Sequence, residues 1–185
     1  IYFREGIKIN PKNSNSYFNI GLAYYNLMDL KKAIIYYKRS LKINNKNFDA
    51  LFNLAITFKK NKNTKQAINY YQKALKINYE HVFVHFNLGN IYSEQLDFFS
   101  AIKHYKSAIS IDPNFPDTYY NLAVTFERIK DFSSSLKYYK LSFQQNAQEI
   151  KSLTKIRLLS KKMRKSDEAI RYFKNLLKKT PNSKD

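Results

Sequence analysis

The sequence has 185 residues and no cysteine. That absence excludes disulfides, thiolate metal sites and thiol catalysis, and it fits an intracellular protein. Glycine and proline are scarce, at 3 and 4 residues, so long helices with few breaks are expected. No apolar run approaches the roughly 20 residues that a membrane-spanning helix needs. Acidic residues are few: 14 Asp and Glu stand against 33 Lys and Arg, a formal net charge of +19. Such a balance raises nucleic acid and anionic surfaces as partners. Asparagine and lysine are heavy throughout, as an AT-rich coding sequence would make them, so part of the charge is expected on solvated faces. There is no glycine-rich phosphate loop, no His-Glu-x-x-His and no pair of carboxylates in a plausible cleft. No catalytic residue and no cofactor is therefore expected. Hydrophobic residues reach 44%, which suits a folded domain rather than a disordered chain.

What the sequence does contain is a period. Gly21, Ala55, Gly89 and Ala123 are spaced by 34 residues, as are Tyr24, Phe58, Tyr92 and Phe126. Ala33, Ala67, Ala101, Ser135 and Ala169 form another column, and Tyr37, Tyr71, Tyr105, Tyr139 and Phe173 a further one. Pro11, Pro113 and Pro181 share a register. A fixed period of this size predicts an array of stacked repeats, each too small to bury its apolar face alone. Full repeats are placed at 14–47, 48–81, 82–115, 116–149 and 150–183, with 1–13 the second half of an earlier one carrying Phe3, Gly6 and Ile7 in register. The sequence begins in mid-pattern, shows no signal peptide, and is read as a piece of a longer protein. Within each repeat the i, i+3, i+4 spacing predicts helix A, a short turn and helix B. Asp29, Asp97 and Asp131 fall in the A–B turns, where a capping carboxylate is favoured. Pro116 suits the first turn of a helix A. Arg157 and Leu176 replace the small residues of the last repeat, as terminal repeats often do.

These residues resemble the tetratricopeptide repeat family. The best copy reads His85, Leu88, Gly89, Tyr92, Ala101, Tyr105, Ala108 and Pro113. The resemblance implies an all-α, right-handed superhelix, an α-solenoid of antiparallel helix pairs, whose concave groove is lined by A helices. It places Asn19, Asn53, Asn87 and Asn121 on the groove, beside a strip of Phe18, Phe52, Phe86 and Tyr120. Leu22, Ile56, Asn90 and Val124 follow three residues later. An Asn side chain carries both a donor and an acceptor, so it can bond both polar groups of a peptide unit. Helices about 8–10 Å apart and an extended chain rising about 3.3 Å per residue would match a rung to every third ligand residue. The array is similar in regularity to the repeat arms of O-linked GlcNAc transferases. Against this reading stands another: that the asparagines are inert or bond a neighbouring repeat.

A second constellation resembles the carboxylate clamp by which some family members hold a chaperone tail. Asn90, Asn121, Lys151 and Lys155 occupy four of its five positions. Phe86 stands where lysine is expected, and Lys155 where arginine is usual, so bidentate pairing is lost. Net charge by repeat runs +5, +4, −1, 0 and +9. The run KKMRK at 161–165 is thus a candidate contact for an acidic tail, RNA or a membrane surface, against the plainer reading of a solvated turn. His81 and His85, four apart, could share a metal, but His85 holds the bulky core column of Tyr17, Leu51, Tyr119 and Leu153, so packing is favoured and no metal site is assigned.

The expected function is a protein-interaction scaffold that binds an extended or helical peptide. Assembly of a large complex, with self-association through open ends, is one alternative. A substrate-selecting arm of an enzyme encoded elsewhere, glycosyltransferase-like, is another. Nucleic acid ranks last. The expected location is cytoplasmic, with nuclear and ciliary sites left open.

Overall fold

Side-chain caps start the B helices, and backbone hydrogen bonds close the A helices that precede them. The computed structural model describes residues 12–115, 117–146, 150–164, 170–172 and 175, and among these the regular structure is entirely helical. Lying outside them are Phe3, Gly6, Ile7 and Pro11 of the leading half-repeat, Pro116, Lys165, and Ala169, Phe173, Leu176 and Pro181 of the last repeat. The A helices are α1 (Ser14–Asn26), α3 (Phe48–Lys60), α5 (Val82–Glu94), α7 (Thr118–Arg128) and α9 (Ile150–Lys162). The B helices are α2 (Leu30–Ile43), α4 (Thr64–Leu75), α6 (Phe98–Ile111) and α8 (Phe132–Gln145). The fourth A helix starts at Thr118, behind Asp117 in the left-handed conformation.

The A–B turns are built alike in four repeats. Asp29, Asn63, Asp97 and Asp131 cap the B helices, each side chain accepting the backbone N–H three residues on. That bond satisfies one of the N–H groups a helix start leaves without an internal partner. The carboxyls of Asp29, Asp97 and Asp131 are held below the ordinary range, first by the Lys32 side chain, the Ser100 side chain and the Ser134 backbone N–H respectively, with the backbone cap bond adding to the first two. The same residue closes the preceding A helix. Asp29, Asn63, Asp97 and Asp131 donate their own N–H to the carbonyls of Tyr24, Phe58, Tyr92 and Phe126, at 2.9, 2.9, 2.9 and 3.0 Å. Those bonds reach back five residues, the Schellman arrangement, which requires the residue before the cap to be left-handed. Met28, Lys62, Leu96 and Lys130 accordingly have φ of 62°, 59°, 64° and 64°, and Arg164 in the next turn has 56°. One residue thus ends one helix and starts the next, and consecutive helices fold back as hairpins. The B–A connections use Asx turns instead: Asn44 and Asp112 accept the backbone N–H two residues on, at 3.1 and 2.9 Å.

The chain forms two compact units, Ile1–Ile91 and Tyr92–Asp185, which divide within α5. In the first, α1 packs on α2, α2 on α3 and α3 on α4. In the second, α6 packs on α7, α7 on α8 and α8 on α9. Small residues permit these approaches: Ala33, Ala67, Ala101, Ala74 and Ala108 are fully buried, with Ser40 and Ser135 in the same roles. The two serines have partners. Ser40 meets the Ser14 hydroxyl at 2.9 Å, and Ser135 donates to the Ala123 carbonyl at 2.9 Å. Aromatic pairs stack A on B at a constant register: Tyr24 on Tyr36, Phe58 on Tyr70, Tyr92 on His104 and Phe126 on Tyr138, with centroids 5.3–5.5 Å apart.

The buried tyrosine column divides by what its hydroxyls meet. Tyr139 donates to Glu127 at 2.8 Å, and Tyr105 bonds Ser93. The hydroxyls of Tyr37 and Tyr71 are buried with no partner. Removing an orphaned buried hydroxyl relieves a desolvation cost, whereas removing one bonded to a carboxylate loses a charge-assisted bond. Tyr71→Phe should therefore leave stability unchanged or raise it by up to about 1 kcal/mol, while Tyr139→Phe should lower it by about 1–2 kcal/mol. Denaturant melts of the two variants check the sign, and two equal losses would contradict the assignment.

Candidate functional site

The A helices of the first unit carry three of the asparagines at one repeat position. Asn19, Asn53 and Asn87 are all half-buried, on α1, α3 and α5. Two of these amides are held by their own helices. Asn53 Nδ2 donates to the Asp49 carbonyl and Asn87 Nδ2 to the Phe83 carbonyl, each at 2.9 Å. Each bond takes one of the two amide N–H groups and fixes the direction of the carbonyl Oδ1. Asn53 and Asn87 are therefore partly pre-ordered: each keeps an acceptor and a remaining N–H, with one donor committed to the turn below.

The aromatic strip beside it is not free-standing. Phe18 lies against Tyr37 at 5.8 Å between centroids, and Phe52 against Tyr71 at 6.0 Å. Phe52 also meets Phe48 and His81, at 6.0 and 5.2 Å. These rings have one face on the core and are half-exposed on the other, as Phe86 is. Asn90 is likewise half-buried and engaged.

His81 and His85 are packing residues by their surroundings. His85 is 1% exposed. Its Nε2–H donates to the Tyr79 carbonyl at 2.9 Å, which fixes the tautomer, and the Tyr79 ring meets it edge-on. His81 sits among Phe48, Phe52 and Phe83, with Nδ1 buried and unpaired. Burial holds both imidazoles below the ordinary histidine range and so favours the neutral forms. No group of three metal-ligating side chains occurs among the described residues.

In the second unit Asn121 and Tyr120 occupy the corresponding positions on α7. Tyr120 packs on Tyr139 with centroids 5.4 Å apart, and Asn121 is engaged through its side chain or backbone, its carbonyl accepting from Thr125 at 2.7 Å. The two lysines of the expected clamp differ. Lys151 is exposed. Lys155 is closed on an internal acid: its Nζ lies 3.1 and 3.0 Å from the two carboxylate oxygens of Glu127. Glu127 also accepts from Tyr139, so one carboxylate ties α7, α8 and α9 together. A ligand carboxylate at Lys155 would have to compete with Glu127. Sequence reasoning missed Glu127 because its column holds Tyr25, Lys59 and Ser93 and carries no repeated chemistry. Of the run KKMRK, Lys161, Lys162 and Arg164 are exposed, and Lys162 lies 4.1 Å over the Phe132 ring.

No helix among the described residues is long and apolar enough to cross a membrane. Residues 14–47 and 48–78 match the family model described as "Tetratricopeptide repeat", and residues 98–129 one described as "TPR repeat", together just over half of the chain. No curated protein matches the chain. Among solved structures, "Crystal structure of MamA protein" is 23% identical with a TM-score of 0.79, covering 91% of this chain and 92% of that one. "Crystal structure of YrrB: a TPR protein with an unusual peptide-binding site" is 14% identical with a TM-score of 0.79, covering 98% and 93%. MamA 41-end from Desulfovibrio magneticus RS-1 is 14% identical with a TM-score of 0.76, covering 93% and 97%. These likenesses extend over nearly the whole chain and concern the fold.

Proposed function

This chain belongs to the tetratricopeptide repeat family, and on that premise we propose that it is a protein-interaction scaffold that takes an extended peptide on the face of its A helices. One observation carries the reading. The asparagines recur at one position of successive A helices, and at Asn53 and Asn87 the amide is anchored by the i−4 carbonyl so that its Oδ1 and second N–H stay available. Those are the groups that bond a peptide backbone, with little rotamer freedom left to lose on binding. Phe18, Phe52 and Phe86 supply half-exposed apolar ground beside them. Recognition of this kind reads the backbone and takes its preference from the flanking side chains. The structural neighbour YrrB, described as a protein with an unusual peptide-binding site, supports the class of ligand. The reading gives this chain no catalytic step and places its work in the cytoplasm, where a cysteine-free protein is at home.

The test uses the chain as bait in a native lysate beside an Asn53→Ala/Asn87→Ala/Asn121→Ala variant. The variant should keep its helicity, since alanine suits a helix better than asparagine does. It should lose a specific set of captured proteins, their recovery falling by about tenfold, the worth of one or two hydrogen bonds. An unchanged set with intact folding would make the asparagines inert.

A further inference from the structure

The basic side chains of the first unit gather at a place no charge count per repeat reveals. A concavity of about 560 Å³ opens between α2 and α4, over the connection from α2 to α3. Lys38, Lys42, Lys46, Lys73 and Lys76 stand around it, all exposed, and no acidic residue lines it. Its floor is apolar: Leu41, Leu51, Tyr70 and Ile77. Two of the lysines lie over rings, Lys38 over Phe58 at 5.6 Å and Lys73 over Tyr70 at 5.0 Å, which lays their aliphatic stems on apolar surface.

This clustering is not the general lysine content of the chain. One period on, the same five positions hold Gln72, Lys76, Glu80, Ser107 and Ser110. Two periods on they hold Lys106, Ser110, Asn114, Leu141 and Gln144. Five cations thus become one cation beside an acid, then one cation alone. Compositional bias would act on every period equally.

We propose that this groove is a second binding site, which takes a short acidic segment of a partner protein carrying at least one bulky apolar side chain. Charge complementarity selects the acid, and the apolar floor selects the side chain set among the acids. The volume lies within the range of pockets that hold small ligands or a few side chains. Nucleic acid fits less well, because it needs a run of phosphate contacts, and the following repeats carry net charges of −1 and 0. The site is formed mainly by the B helices α2 and α4 and the connection that follows α2, and it does not rest on the peptide-binding reading of the A helices. Failure of that reading would leave this one standing.

The test is fluorescence anisotropy with a labelled twelve-residue peptide of glutamates and two leucines, at low and physiological salt. A Lys46→Glu/Lys73→Ser/Lys76→Ser variant gives each position the residue found one period on. All three side chains are exposed, and equal melting curves verify that the fold is kept. The wild-type chain should bind the peptide, and the variant should bind about tenfold more weakly, as three surface ion pairs would dictate. Replacing the two leucines by glycine should also weaken binding. Three results would each overturn the proposal: no binding to the wild type, equal binding to wild type and variant, or tighter binding of an oligothymidylate of equal charge that the variant abolishes.

Discussion

Gly21→Val should destabilise the first hairpin by roughly 3 kcal/mol, at the upper end of the cost of overpacking a filled core. A Cβ at Gly21 would stand 2.6 Å from Tyr37 Cδ1 and 2.8 Å from Cε1. Neither atom is the loose end of a flexible chain. They belong to a ring with no solvent exposure, so α1 and α2 must separate to admit the new atoms. In an open helix the exchange of glycine for a residue with a side chain would stabilise; here the contact reverses the sign. The close approach is local, because Ala55 and Ala123 already carry a Cβ at the same position of their repeats. In a repeat array each unit leans only on its neighbours, so the damage should concentrate at the start of the chain. Hydrogen exchange should show α1 and α2 losing protection while α7 and α8 keep theirs. Uniform loss through both units, or none, would be the contrary result.

Glycine at the A–B turns should have the opposite effect. Met28, Lys62, Leu96 and Lys130 are held at positive φ by the paired bonds that end the A helices. An L-residue there bears a left-handed penalty of about 1–2 kcal/mol, which glycine escapes. Glycine loses more backbone entropy on folding, which returns about half of the gain. Each exchange should then add about 0.5–1 kcal/mol, and the four, sited in separate repeats, should nearly add, for about 2–4 kcal/mol in all. Nothing is lost from the core, since all four side chains are exposed. Chemical denaturation of the fourfold variant checks this. A decrease in stability would mean that the side chains, and not the backbone bonds, hold the turns.

Much of the architecture was legible because it repeats with fixed chemistry. The small residues at 33, 67 and 101, the tyrosines one period apart and the aspartates of the turns all recur with the same physical task, so their columns stand out. His85 was readable as core because its column holds bulky residues in every other repeat. The left-handed turn column was not, because Met, Lys, Leu, Lys and Arg share no side-chain property; backbone hydrogen bonds impose that conformation. The Glu127 link to Lys155 and Tyr139 was hidden for a related reason, being a single event in one repeat. The asparagine column was read by register alone. What register could not give was the bond from each of Asn53 and Asn87 to its own helix, which leaves one donor fewer than an unbound amide offers. The charge counts pointed to the last repeat, whereas the lysines that converge around a cavity come from two helices and a turn of the first unit.

The proposed function requires that a partner lie along the column of asparagines. Photo-crosslinking tests it most directly. Benzoylphenylalanine would replace Phe52 in one variant, Phe86 in a second and the exposed Ile35 of α2 in a third, each irradiated in native lysate. One and the same partner should be joined at positions 52 and 86, absent at 35, and lost when Asn53 and Asn87 are alanine. A partner joined at 35 and at neither aromatic position would contradict it.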